Sequence, residues 1–103
     1  MANRQRGEIE AVLDGRRWTL CLTLGALAEL EAGLAAEDLM ALARRFGEGR
    51  LTAGEAVKVI GAGLRGAGTD IDDAAVARMK AEGGAAGYVA IVAALLEATF
   101  GVP

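Results

Sequence analysis

The dipeptide Asp14-Gly15 constrains this chain more than any other feature, because it separates two short segments that alternate in character. Asp-Gly suits a type I′ turn, in which both central residues take positive φ, and that turn matches the right-handed twist of paired strands. A two-residue loop then forces the register. Leu13 faces Arg16, Ala11 faces Trp18, Ile9 faces Leu20 and Gly7 faces Leu22, while the other face pairs Val12 with Arg17, Glu10 with Thr19 and Glu8 with Cys21. The first set is mostly apolar and the second mostly polar, so one register sorts both strands into an inside and an outside. A β-hairpin over about residues 8–23 is expected. Alone it would be marginal, so helices must cover its apolar face.

The remainder carries helical signals. Thr23 is an N-cap for a helix through about Ala32, with Leu24, Leu27 and Leu30 as its apolar positions and Gly33 as its stop. A second helix is expected from about Ala36 to Phe46. Glu37 and Asp38 in its first turn and Arg44 and Arg45 in its last complement the helix dipole. Leu39, Leu42, Ala43 and Phe46 mark its buried face. Thr52-Ala53-Gly54-Glu55 reads as a capping box. It opens a third helix carrying Ala56, Val57, Val59, Ile60, Gly63 and Leu64, broken at Gly66-Ala67-Gly68. A short fourth helix spans Asp72 to Lys80, and Glu82-Gly83-Gly84 is a loop. The last helix runs from about Ala85 to Phe100. Its broad apolar stripe of Tyr88, Ile91, Val92, Leu95, Leu96, Thr99 and Phe100 predicts the central helix. The expected fold is α+β, mostly α: an N-terminal hairpin followed by about five short helices. The 103 residues fit a single domain over 1–103, with the hairpin at about 8–23 and the helical part at about 24–100.

One motif competes with this reading. Val57-Lys58-Val59-Ile60-Gly61-Ala62-Gly63-Leu64-Arg65-Gly66 has the form of a short apolar strand followed by G-x-G-x-x-G. Dinucleotide binding needs a strand before those glycines, a helix after them, and an acidic residue at the end of a second strand about 20 residues on. None of the three is met. The capping box makes Val57–Ile60 helical, Ala67-Gly68-Thr69-Asp70 breaks the chain where a phosphate-binding helix should run, and Glu82 precedes Gly83-Gly84. Each glycine inside a helix costs about 1 kcal/mol relative to alanine, so these need another use. A surface free of side chains lets a second element approach closely, either within the domain or from a partner.

Other chemistry is equally sparse. The chain has neither histidine nor serine, which removes the commonest general base, zinc ligand and catalytic triad. Cys21 is the sole cysteine, so no internal disulfide is available, and no cation stands beside it to activate its thiol. Asp70, Asp72 and Asp73 lack the glycine and distant glutamate of an EF-hand loop and read as helix-capping residues. Glu29 and Glu31 do not face each other on a helix. No catalytic, cofactor-binding or metal-ligating residue is expected, and no cofactor. The formal net charge of −3 is unsuited to nucleic-acid binding. No apolar run reaches the length of a membrane span, and the polar N-terminus does not read as a signal peptide.

A resemblance carries the reading further. "LDGR", "LTLGALAELE", "RFGEGRL" and "AGLRG", with a later "GG" loop and "ALLEATFG", resemble a family of tail proteins of gene transfer agents and of tailed phages or prophages of alphaproteobacteria. The similarity runs from about Gly7 to Gly101. It implies a non-catalytic role in tail morphogenesis, in one of two versions. An assembly chaperone would cover the apolar helices of the tape-measure protein and then leave. A tube subunit would stay in the particle. The small, helix-rich pattern favours the chaperone, since tube proteins are usually rich in β-sheet. A small regulatory or nucleic-acid-binding protein is the reading from another class, and it lacks a basic recognition helix. The resemblance implies the tape-measure protein, the major tail protein or both as partners, with no nucleic acid and no membrane. Homo-oligomers are left open. The expected location is the cytoplasm of the producing bacterium, or the particle tail for a tube subunit. The expected partner-binding surface is the glycine-bearing helix or the hairpin edge, through Gly61, Gly63, Leu64, Arg65 and Arg17.

Overall fold

The computed structural model describes residues 2–47 and 51–101. Behind a 3-10 turn at Arg4–Arg6, strands β1 (Glu8–Leu13) and β2 (Arg16–Cys21) pair antiparallel in the register that Asp14-Gly15 imposes. Asp14 and Gly15 take φ values of 54° and 72°, as the turn requires. The ladder ends at Glu8–Cys21, one pair short of Gly7–Leu22. Ile9, Ala11, Leu13, Leu20 and Leu22 are buried on the inner face. Trp18 is half-buried there. Its indole Nε1 donates to the Leu13 carbonyl at 3.0 Å, and the Arg16 guanidinium lies over the ring at 4.8 Å.

Five helices follow among the described residues: α1 (Leu24–Gly33), α2 (Leu39–Gly47), α3 (Ala53–Gly66), α4 (Asp73–Val76) and α5 (Ala85–Phe100). The fold is thus the expected α+β hairpin-then-helices arrangement. Side-chain caps set most of the helix starts. The Thr23 hydroxyl accepts from the Ala26 amide, Asp38 from Ala41 and Asp72 from Ala75. At α3 both halves of the capping box form, with Thr52 accepting from Glu55 N–H and Glu55 accepting from Thr52 N–H. These contacts satisfy amides that the helix itself leaves unpaired.

Four expectations are corrected. α2 begins at Leu39, not Ala36, because Ala35 turns the chain left-handed (φ 53°) and Asp38 serves as the cap. Glu37 and Asp38 therefore precede the helix. α4 ends at Val76, not Lys80. Lys80 is recruited instead by the hairpin tip: the Asp14 N–H donates to the Lys80 carbonyl and the Lys80 N–H to Asp14 Oδ1, both at 2.8 Å. Leu13 and Ala81 complete this contact as a β-bridge. Third, the central helix is α3. Val59 to Leu64 are all buried, whereas α5 buries Val92 and Leu95. α3 lies against β2, α1, α4 and α5. Leu24, read as an inward position of α1, is 77% exposed. The Phe46 side chain, assigned to the buried face of α2, lies outside the described residues.

The core gathers the hairpin's inner face, α1 and α3 with Leu42, Val76, Met79, Val92 and Leu95. Each fully buried leucine among these contributes about 1.5–3 kcal/mol relative to its exposed state.

Candidate functional site

The glycine motif is an internal contact surface of α3, and each glycine receives a different neighbour. A Cβ at Gly61 would stand 2.3 Å from Asp73 Oδ1 and 3.1 Å from Arg65 Nη1. Gly61 thus leaves space for the ion pair between Arg65 and Asp73, closed at 2.9 Å. Arg65 also donates to the Ile71 carbonyl at 3.0 Å and to Glu29, so it ties the end of α3 to α1 and to the loop before α4. A Cβ at Gly63 would meet Leu95 Cδ2 at 2.7 Å and Leu20 Cβ at 3.2 Å. That position is where α5 and β2 close on α3 from two sides. At Gly66 the neighbour is backbone: the Cys21 carbonyl oxygen would lie 2.0 Å from an added Cβ. Gly66 is therefore a close-approach residue as well as the end of its helix. No strand precedes the motif, so it cannot cradle a pyrophosphate in the way a Rossmann turn does.

The residues expected at a partner surface are not brought together. Gly61, Gly63 and Leu64 are buried, with Leu64 at zero exposure. Arg65 is half-buried and engaged with Glu29 and Asp73. Arg17, on the outward face of β2, is open, its side chain 80% exposed and paired loosely with Glu10 at 3.7 Å. An exposed pair of that kind adds little stability.

Two apolar hollows face outward instead. One, of about 320 Å³, lies between the first half of α3, α4 and the start of α5. Ala56, Val57, Val76, Met79, Tyr88 and Val89 wall it, and the Tyr88 hydroxyl is held on the Met79 carbonyl. The other, of about 440 Å³, is shallower and lies between one face of α1 and the start of α2. Leu24, Leu39 and Met40 stand around it, with Glu31 and Asp38. Neither was evident from periodicity, because the residues that form each hollow come from different elements.

The surroundings of Cys21 disfavour its thiolate. Burial, and then the nearby Glu8 carboxylate, push its thiol above the ordinary range against the opposing effect of Arg6. Its Sγ contacts the Arg6 carbonyl at 3.7 Å. The thiol stays protonated at neutral pH, which suppresses nucleophilic chemistry. Among the described residues no group of His, Cys, Asp and Glu is placed to hold a metal ion, and no helix is long and apolar enough to cross a membrane.

The two apolar hollows are the open features that offer a contact surface. The chain belongs to the family described as phage tail tube protein, GTA-gp10, whose model matches residues 6–102. Membership supports a structural role in the tail of a phage or gene transfer agent, in contact with other tail proteins. No curated protein and no solved structure matches the chain.

Proposed function

We propose that this protein serves tail morphogenesis as an assembly chaperone. In this reading it holds an apolar helical segment of the tape-measure protein until tube subunits enclose that segment, and then leaves. It acts without catalysis, in the cytoplasm of the producing bacterium, for a gene transfer agent or prophage of the alphaproteobacterial kind.

The observation that carries the reading is the balance of the fold. Among the described residues the sheet has two strands, and everything after Cys21 that is regular is helical apart from the bridge at Ala81. A tube wall of stacked rings is usually built sheet to sheet. Here the outer edge of β1 is already closed off at both ends, where the Glu8 N–H donates to the Asn3 carbonyl and the Asp14 N–H to the Lys80 carbonyl. Helices with open apolar hollows suit capture of another helix. A second reading, a tube component retained in the particle, is favoured by membership of a family described as tail tube protein. A regulatory nucleic-acid binder is the weakest reading, given the net charge of −3.

Quantitative mass spectrometry of purified particles beside the producing-cell lysate separates the first two readings. A chaperone is expected in the lysate, recovered with the tape-measure protein or the major tail protein, and absent from particles. Many copies per particle would sink the chaperone reading and make the protein part of the tube.

A further inference from the structure

Leu24 and Met40 are the most exposed large apolar side chains among the described residues, at 77% and 71%. Single exposed apolar residues are ordinary. These two line the same hollow, together with Leu39, which is 38% exposed. Leu27 and Ala28 line it as well. A clustered apolar patch of this kind marks a contact site. Met40 adds an unbranched, adaptable side chain of the sort used where a surface must fit a partner.

Charge says what the partner carries. Glu31 and Asp38 line the hollow, and among the described residues no lysine or arginine does. The asymmetry extends along the chain. Between Arg17 and Arg44 there is no basic residue, while Glu29, Glu31, Glu37 and Asp38 all fall there, Glu29 being paired with Arg65. Arg44 and Arg45 sit in the last turn of α2, and Arg45 is held by Glu55. Neither Glu31 nor Asp38 forms a salt bridge among the described residues. At each helix start one first-turn amide is taken by a side chain, Ala26 N–H by Thr23 and Ala41 N–H by Asp38. The hollow between α3, α4 and α5 offers no such guide, since among the described residues no charged side chain lines it.

We infer that the hollow between α1 and α2 is the docking site for a basic amphipathic helix of a partner protein, its apolar stripe on Leu24, Leu39 and Met40 and its Lys or Arg flank on Glu31 and Asp38. The inference deepens the assembly-chaperone reading and rests on it for the partner's being a tail protein. The chemistry of the site stands on the residues alone. A helix laid between one face of α1 and the start of α2 follows the helix-in-groove mode, with anchors at i, i+3, i+4 and i+7.

The test uses two labelled synthetic helices with the same leucine face, one flanked by lysine and the other by glutamate, titrated against the full chain by fluorescence anisotropy. The lysine helix is expected to bind at least tenfold more tightly and to weaken as salt rises. The double variant Leu24→Gln, Met40→Gln should weaken it at least tenfold with an unchanged melting temperature, and Val89→Gln in the other hollow should not. If the double variant melts early, Glu31→Gln carries the test, since it keeps every apolar side chain and should still weaken the lysine helix. Equal binding of the two helices overturns the inference. So does loss of binding in Val89→Gln alone, or a wild-type dimer that the double variant converts to a monomer, which would place a second copy in the hollow. Lysine-helix binding by a protein found at many copies in particles would overturn the chaperone reading and leave the docking site standing. Failed binding by a protein absent from particles would do the reverse.

Discussion

α3 and α5 are the two longest helices, and they treat their surroundings in opposite ways. α5 is almost wholly apolar, yet it buries Val92 and Leu95 and leaves Val89 56% exposed. α3 carries glycines, a lysine, an arginine and a glutamate, yet every residue from Val59 to Leu64 is buried. The difference lies in how closely neighbours can come. Gly61, Gly63 and Gly66 let Asp73, Leu95 with Leu20, and the Cys21 carbonyl approach α3 from separate directions. α5 presents one face to that centre and keeps the rest outside. Burial in this fold follows access, with side-chain hydrophobicity second to it.

Substitutions can break or sharpen that contrast. The largest expected effect is Leu95→Ala, which empties a fully buried site and should cost about 2–5 kcal/mol in denaturant unfolding. Val89→Ala on the same helix should change stability by less than about 0.5 kcal/mol. Equal losses at the two positions would mean that α5 is not one-sided. Gly66→Ala should cost about 3 kcal/mol, the upper end of overpacking, because the obstacle is the Cys21 carbonyl and not the tip of a movable side chain. A neutral result there would remove close approach as the explanation of α3. Thr52→Ala should cost about 1 kcal/mol by losing the cap of α3. Smallest is Gly54→Ala at the exposed start of α3, which meets only the Thr52 hydroxyl at 4.0 Å. It should stabilise by about 0.4–1 kcal/mol, and a loss there would show that glycine is needed even where space is open.

The capping box also sets a pH dependence. The Thr52 amide, and then Arg45, hold the Glu55 carboxyl below its ordinary range, against a smaller opposing effect of burial. A lowered folded pKa means stability that is complete above the ordinary glutamate value, about 4.3, and lost as pH falls through the folded value. Thermal melts of wild type and Glu55→Gln should therefore differ at neutral pH and converge in acid. Convergence at neutral pH as well would show that the carboxylate contributes nothing to α3.

The parts legible in the sequence are those fixed by near neighbours. Asp14-Gly15 set the hairpin register, and Thr23, Thr52 and Asp72 marked helix starts, because turn and cap chemistry act over a few residues. What was hidden depends on distant partners. The early end of α4 is decided by Asp14, which holds Lys80, and no local pattern in Asp72–Lys80 announces that. Gly66 looked like a helix stop because its other reason, the Cys21 carbonyl, lies on another element. Leu24 matched a spacing of three with Leu27 and Leu30. It is the first residue of α1, where that spacing does not force burial, and it faces out. The sequence left Gly61 and Gly63 open to a neighbour within the domain or to a partner, because the residues that approach them, Asp73, Leu95 and Leu20, lie on other elements.

The exchange of hydrogen bonds between Asp14 and Lys80 has a consequence for synthesis. The hairpin leaves the ribosome before the helices, but the chain must lengthen by 66 residues before its tip finds these partners. Its inner face waits longer still, for Val92 and Leu95. A nascent chain halted before Lys80 would expose Leu13 and leave the Asp14 amide without this carbonyl. Arrested chains of increasing length should accordingly stay open to protease until α5 has emerged, and then become resistant in one step, as expected of a unit that folds as a whole.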